Sequence, residues 1–108
     1  MLRLQLIRGD VHALSIQVQR SGQDWSTATF SAELRRGAGG QLVHTYSVTA
    51  DTSVAGVATL TLGPVAGTVT ADWPSGVRLM GELKVVDPGL GILRLARWQI
   101  DCIPPVTA

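Results

Sequence analysis

Cysteine is almost missing from this chain, with Cys102 the sole thiol. No intrachain disulfide can form and no cysteine-based zinc cage can be assembled, which fits a protein made in a reducing cytoplasm. An excess of charge of one sign is missing too. Nine Lys and Arg stand against eight Asp and Glu, a formal net charge of +1, and no block of like charge occurs. A nucleic-acid binder carries a basic stripe that displaces counterions from phosphate, so nucleic acid is not expected as a partner. No uninterrupted apolar run nears the roughly 20 residues that span a bilayer, so a soluble chain with no membrane partner is expected. The start, Met1-Leu2-Arg3-Leu4-Gln5-Leu6, alternates instead of showing a basic region, an apolar block and a cleavage site, and no secretion signal is read there.

Groups for chemistry are equally sparse. A nucleophile with a base and an orienting acid needs a histidine, and only His12 and His44 are present. His44 lies mid-strand beside Tyr46, where a satisfied strand residue is expected. Asp10 and Asp51 could join the histidines at a metal, but no short His-x-His or His-x-x-x-His spacing sets two ligands on one element, and no Asp-x-Asp-x-Asp loop suggests calcium. The 12 glycines form no phosphate-cradling motif. The expectation is a chain that is not an enzyme, with no catalytic residues, cofactor, metal or small-molecule substrate. Only a convergence of Asp10, His12 and His44 in one cleft would reopen catalysis.

What is present is alternation. Thr, Val and Leu fill segments of period two, as in strands wet on one face. Seven are expected: 2–7, 11–19, 28–36, 41–49, 57–62, 77–86 and 92–103. Gly37-Ala38-Gly39-Gly40 turns the third into the fourth, because glycine supplies the positive φ of tight hairpins. In the fourth, Leu42, His44, Tyr46 and Val48 share one face. Gly63 and Pro64 stop the fifth. Residues 65–76 form a crossover with one helical turn capped by Thr70 or Asp72. Asp87-Pro88-Gly89-Leu90-Gly91 turns the closing hairpin, and Pro104-Pro105 ends it. Leu79, Leu83 and Val85 match Leu93 and Leu95 in phase, whereas Trp98, Ile100 and Cys102 fall on the other parity. A bulge between Leu95 and Arg97 reconciles them. The fold class expected is all-β, a single domain over residues 1–108 built as an immunoglobulin-like sandwich of about seven antiparallel strands, without the cysteine pair of antibody domains.

Arg8-Gly9-Asp10 matches a cell-adhesion tripeptide, but Gly9 permits the bend between the first two strands and Asp10 can bond backbone amides beyond it, so a structural turn is expected. Of the three tryptophans, Trp73 should plug one end of the sandwich. Trp25, in a polar loop with Gln23 and Asp24, is the candidate interface residue, since aromatic side chains concentrate at contact hot spots.

Three features in order resemble small β-sandwich domains of tailed phages and prophages, similar to the N-terminal domain of upper baseplate proteins. They are Arg8-Gly9-Asp10 followed by the strand Leu14 to Val18, then Thr70-Ala71-Asp72-Trp73-Pro74-Ser75-Gly76, then the hairpin closing on Ile100-Asp101-Cys102-Ile103-Pro104-Pro105-Val106-Thr107. Val77 and Arg78 stand where that family has an aromatic residue, and Trp98 where it often has a small one. The resemblance implies a non-enzymatic virion structural protein, a tail, baseplate or fibre adaptor made in the host cytoplasm. Its partners would be other virion proteins in a symmetric assembly. Capsid decoration is the alternative within that class. An immunoglobulin-like adhesin binding a host surface is the alternative outside it, with Trp25, Gln23 and Asp24 as its platform.

Overall fold

The computed structural model describes residues 2–37 and 39–105. Ala38 of the glycine turn, Met1 of the opening alternation and Val106-Thr107 of the closing motif lie outside the described residues. Among the described residues eight strands form: β1 (Leu2–Ile7), β2 (His12–Gln19), β3 (Thr29–Arg36), β4 (Leu42–Thr45), β5 (Val48–Asp51), β6 (Val57–Val65), β7 (Arg78–Asp87) and β8 (Gly91–Ile103), with a one-turn helix α1 (Gly67–Thr70) between β6 and β7. They build an immunoglobulin-like sandwich of two sheets, one of five strands in the order β1-β8-β7-β3-β4 and one of three in the order β2-β6-β5.

Two expectations about the pairing of the strands are corrected. The fourth segment is two strands, because the chain leaves the large sheet after Thr45 and enters the small one at Val48. His44 pairs with Leu34 in the large sheet, Val48 with Leu62 in the small one, and Tyr46 between them is buried. The apolar parity survives the crossing, so the alternation of 41–49 looks like one strand. Nor are all neighbours antiparallel, since β1 runs parallel to β8 from Leu2 opposite Trp98 to Ile7 opposite Ile103.

The core follows from the inward parity of each strand. Leu34, Leu60, Leu62, Leu79, Leu83, Val85 and Ile100 are all fully buried, and each contributes about 1.5–3 kcal/mol relative to exposure. The bulge of the closing hairpin falls on Leu95. Leu83 faces Ala96 and Lys84 faces Arg94, which leaves Leu95 unpaired and shifts the inward set of β8 from Leu93 to Trp98, Ile100 and Cys102. Trp98 fits because its partner is Gly81. A Cβ on Gly81 would be driven into the indole ring.

The crossover contains its helical turn, but neither Thr70 nor Asp72 caps it. Ala66 is the N-cap and Thr70 the last helical residue. β6 also runs past Gly63 and Pro64 to Val65. Gly63, at φ 94, carries an irregularity that lets the strand resume opposite His12.

Candidate interaction surfaces

The residues expected to meet a partner are mostly committed internally. Trp25 is only 3% exposed, its indole N–H donates to the Gly56 carbonyl at 3.2 Å, and its ring lies against Phe30 at 6.0 Å. It closes one end of the sandwich and offers no platform, which corrects its reading as an interface residue. The loop is polar because it is held by side chains. Asp24 Oδ1 accepts from the Ser26 backbone N–H at 2.9 Å and hydroxyl at 2.6 Å, which holds its carboxyl below the usual range. The Gln23 amide donates to Asp87 Oδ1 at 3.2 Å. Trp73 plugs the other end at 3% exposure.

The two histidines do meet. His12 Nε2 shares a 2.9 Å hydrogen bond with the Tyr46 hydroxyl, and both imidazoles lie within 5.7 Å of the Trp73 ring. Desolvation lowers both histidine pKa values, and for His12 the charge of His44 lowers it further. Burial pushes the Tyr46 phenol up to about 12. The Trp98 indole N–H opposes that shift from nearby, yet it does not form a hydrogen bond. Near neutral pH the cluster is therefore an uncharged aromatic plug. Asp10 is exposed and contributes its backbone carbonyl to Thr70, so it does not complete a triad with the histidines. No group of three His, Cys, Asp or Glu close enough to hold a metal occurs among the described residues. Cys102 is buried, and burial raises its thiol pKa.

Arg8-Gly9-Asp10 is a turn tied to the crossover. The Arg8 guanidinium donates to the Ala71 carbonyl from Nη2 at 2.6 Å, and the Gly9 N–H donates to Thr70 Oγ1 at 3.1 Å. Thr70 Oγ1 in turn donates to the Asp10 carbonyl at 2.7 Å. Two motifs that read as separate family signatures are the two halves of one hydrogen-bonded corner.

Two surfaces remain. The outer face of the five-stranded sheet holds a recess of about 360 Å³, where Arg35, Lys84, Arg94 and Arg97 outnumber Glu33 and Glu82. Glu82 bridges Arg94 at 3.0 Å and Arg97 at 2.8 Å, and Glu33 bridges Arg35 at 3.0 Å. These exposed pairs add little stability, of order 0–1 kcal/mol each. They leave a cationic surplus around the recess.

The second surface is the free edge of β2. Among the described residues this strand pairs only with β6, and its outer side has no neighbour. Its inward residues Leu14, Ile16 and Val18 are only partly buried, whereas their partners Leu62, Leu60 and Ala58 are fully buried. In the other sheet β1 pairs with β8 only from Trp98 to Ile103, so the lower half of β8, from Gly91 to Arg97, is left uncovered. Along β1 the inward side chains pass from buried Leu6 through half-buried Leu4 to Leu2, which is 54% exposed. Leu14, Ile16 and Val18 thus line an apolar seam that the sandwich leaves partly open. Sequence reasoning missed this site, although β2 has a legible signal: His12-Ala-Leu-Ser-Ile-Gln-Val-Gln19 carries no Asp, Glu, Lys, Arg, Pro or Gly.

No protein family and no curated protein matches the chain. Among solved structures it is similar to AggA, the major subunit of aggregative adherence fimbriae type I from Escherichia coli. The TM-score is 0.50 at 12% identity, covering 95% of this chain and 91% of AggA. The resemblance to phage baseplate domains is thereby corrected: the likeness found is to a fimbrial subunit, and the motifs that suggested a phage domain are explained as corner and turn chemistry. At this identity the likeness establishes the fold, an immunoglobulin-like sandwich over nearly the whole chain.

Proposed function

We propose that the chain is a non-enzymatic immunoglobulin-like subunit of a larger protein assembly that works through contacts with neighbouring subunits. The observation that carries this reading is the β2 flank, a regular, uncharged edge strand above an apolar seam that the fold itself leaves unfinished. An exposed edge of this kind is a template for pairing with another chain. AggA is a fimbrial major subunit, and its likeness supports a building-block role. Sedimentation of the purified chain from micromolar to near-millimolar concentration tests it. Species heavier than the 11.4 kDa monomer are expected. A single monomeric boundary throughout contradicts the reading.

A second reading, adhesion to an acidic surface partner, is favoured by the cationic surplus around the recess on the five-stranded sheet. It predicts retention on arrays of carboxylate-bearing glycans but not neutral ones, lost on Lys84→Glu with Arg94→Glu. Equal retention of both glycan classes removes it.

A further inference from the structure

We propose that the occupant of the β2 edge is a second copy of this chain, paired strand to strand about a two-fold axis. The inference rests on the assembly reading above and specifies its interface.

β4 and β5 have four residues each, too short to template a strand, and β5 ends on Asp51. β1 carries Arg3 at its edge. The uncovered lower half of β8 is broken by the bulge at Leu95 and flanked by Arg94 and Arg97. Short length, charge and bulges are the devices that keep sheet edges from pairing, and each of these strands has at least one. β2 has none over its eight residues, and the irregularity in its pairing with β6 falls on Gly63 and Pro64 of the other strand.

A two-fold interface places the same strand opposite itself, so any charge on it would meet its like. β2 carries no charge, so nothing opposes the pairing. Inward residues must face inward residues, which fixes an even register. Centring on Ile16 pairs Ser15 with Gln17 and Leu14 with Val18 of the other copy, and uses the strand from Ala13 to Gln19. The two small sheets then become one of six strands.

Side-by-side copies bring their half-buried Leu14, Ile16 and Val18 rows together beneath the new pair, with the exposed Leu2 beside them. Burial of this apolar surface adds to the backbone hydrogen bonds. A two-fold contact uses up the β2 edge of both copies, so it closes at two. Longer assemblies must therefore grow from another surface.

A charge swap tests the interface. Ser15 and Gln17 point outward on an edge, so Ser15→Lys with Gln17→Lys, or Ser15→Glu with Gln17→Glu, leaves the monomer fold intact, as circular dichroism will verify. Each charged variant alone sets like charges opposite one another at two positions and is expected to dimerise roughly tenfold more weakly than the parent chain. An equimolar mixture of the two is expected to restore association as a mixed dimer, read by native mass spectrometry. Heavier species that neither variant weakens overturn the β2 pairing and leave the assembly reading standing. A parent chain that stays at 11.4 kDa throughout overturns both.

Discussion

Replacing Gly81 by alanine sets two physical effects against each other. Gly81 lies mid-strand, its φ is not in the left-handed region, and the backbone accepts any residue there. Reduced freedom of the unfolded chain alone would make Gly81→Ala stabilising by about 0.4–1 kcal/mol. The new methyl, however, would enter the space of the Trp98 indole, which is 1% exposed and backed by the Tyr46 ring at 5.7 Å. Overpacking of this kind costs about 1–3 kcal/mol, and the enclosed ring puts this site at the upper end. The steric effect wins. A net loss of about 2 kcal/mol is expected, lowering the melting temperature by roughly 8 °C in a domain of this size. The assay is urea denaturation of the parent, Gly81→Ala, Trp98→Leu and the double variant. Because the smaller side chain frees the space the methyl needs, the double variant should be more stable than additivity predicts by at least about 1 kcal/mol. A neutral or stabilising Gly81→Ala, or strict additivity, would refute the packing described for the closing hairpin.

The remaining predictions concern the end of the sandwich that Trp73 closes. His12 and His44 have lowered pKa values in the folded state, so the unfolded chain binds more protons between those values and the ordinary imidazole value of about 6.5. Stability should be full above about pH 6.5 and fall as the medium is acidified below it. Melting curves across pH 4.5–8 should show this slope, and His12→Gln should flatten it; a slope unchanged by that substitution counts against the buried neutral cluster. Thr70→Val removes the hydroxyl that bonds both Gly9 and Asp10, and should cost about 1–3 kcal/mol, with Thr70→Ser nearly neutral. Equal stability of the valine and serine variants would mean that the corner does not depend on that hydroxyl.

The strands were legible because alternation is a local property, and the break in parity between Val85 and Trp98 located the bulge before its partner residues were known. The transfer of the fourth segment between sheets was not legible. Tyr46-Ser47 contains no glycine or proline, and the inward phase of His44, Tyr46 and Val48 is the same on both sides of the crossing. The parallel pairing of β1 with β8 depends on residues about 96 positions apart, which periodicity cannot connect. Trp25 misled for a related reason. Its polar neighbours Gln23 and Asp24 suggested a wet loop, but they face Asp87 and Ser26 while the indole turns inward to Phe30. The β2 edge needed the topology, since a strand without charges is unremarkable until it proves to be the last in its sheet.

Amide hydrogen exchange resolved along β2 at rising protein concentration is the most direct measurement of the assembly account. The amides of β2 that point away from β6 should be unprotected in dilute solution and gain protection in the micromolar to near-millimolar range, while those of the short edges β4 and β5 stay unchanged. Exchange on β2 that is independent of concentration would contradict the claim that this edge is where the chain meets its neighbours.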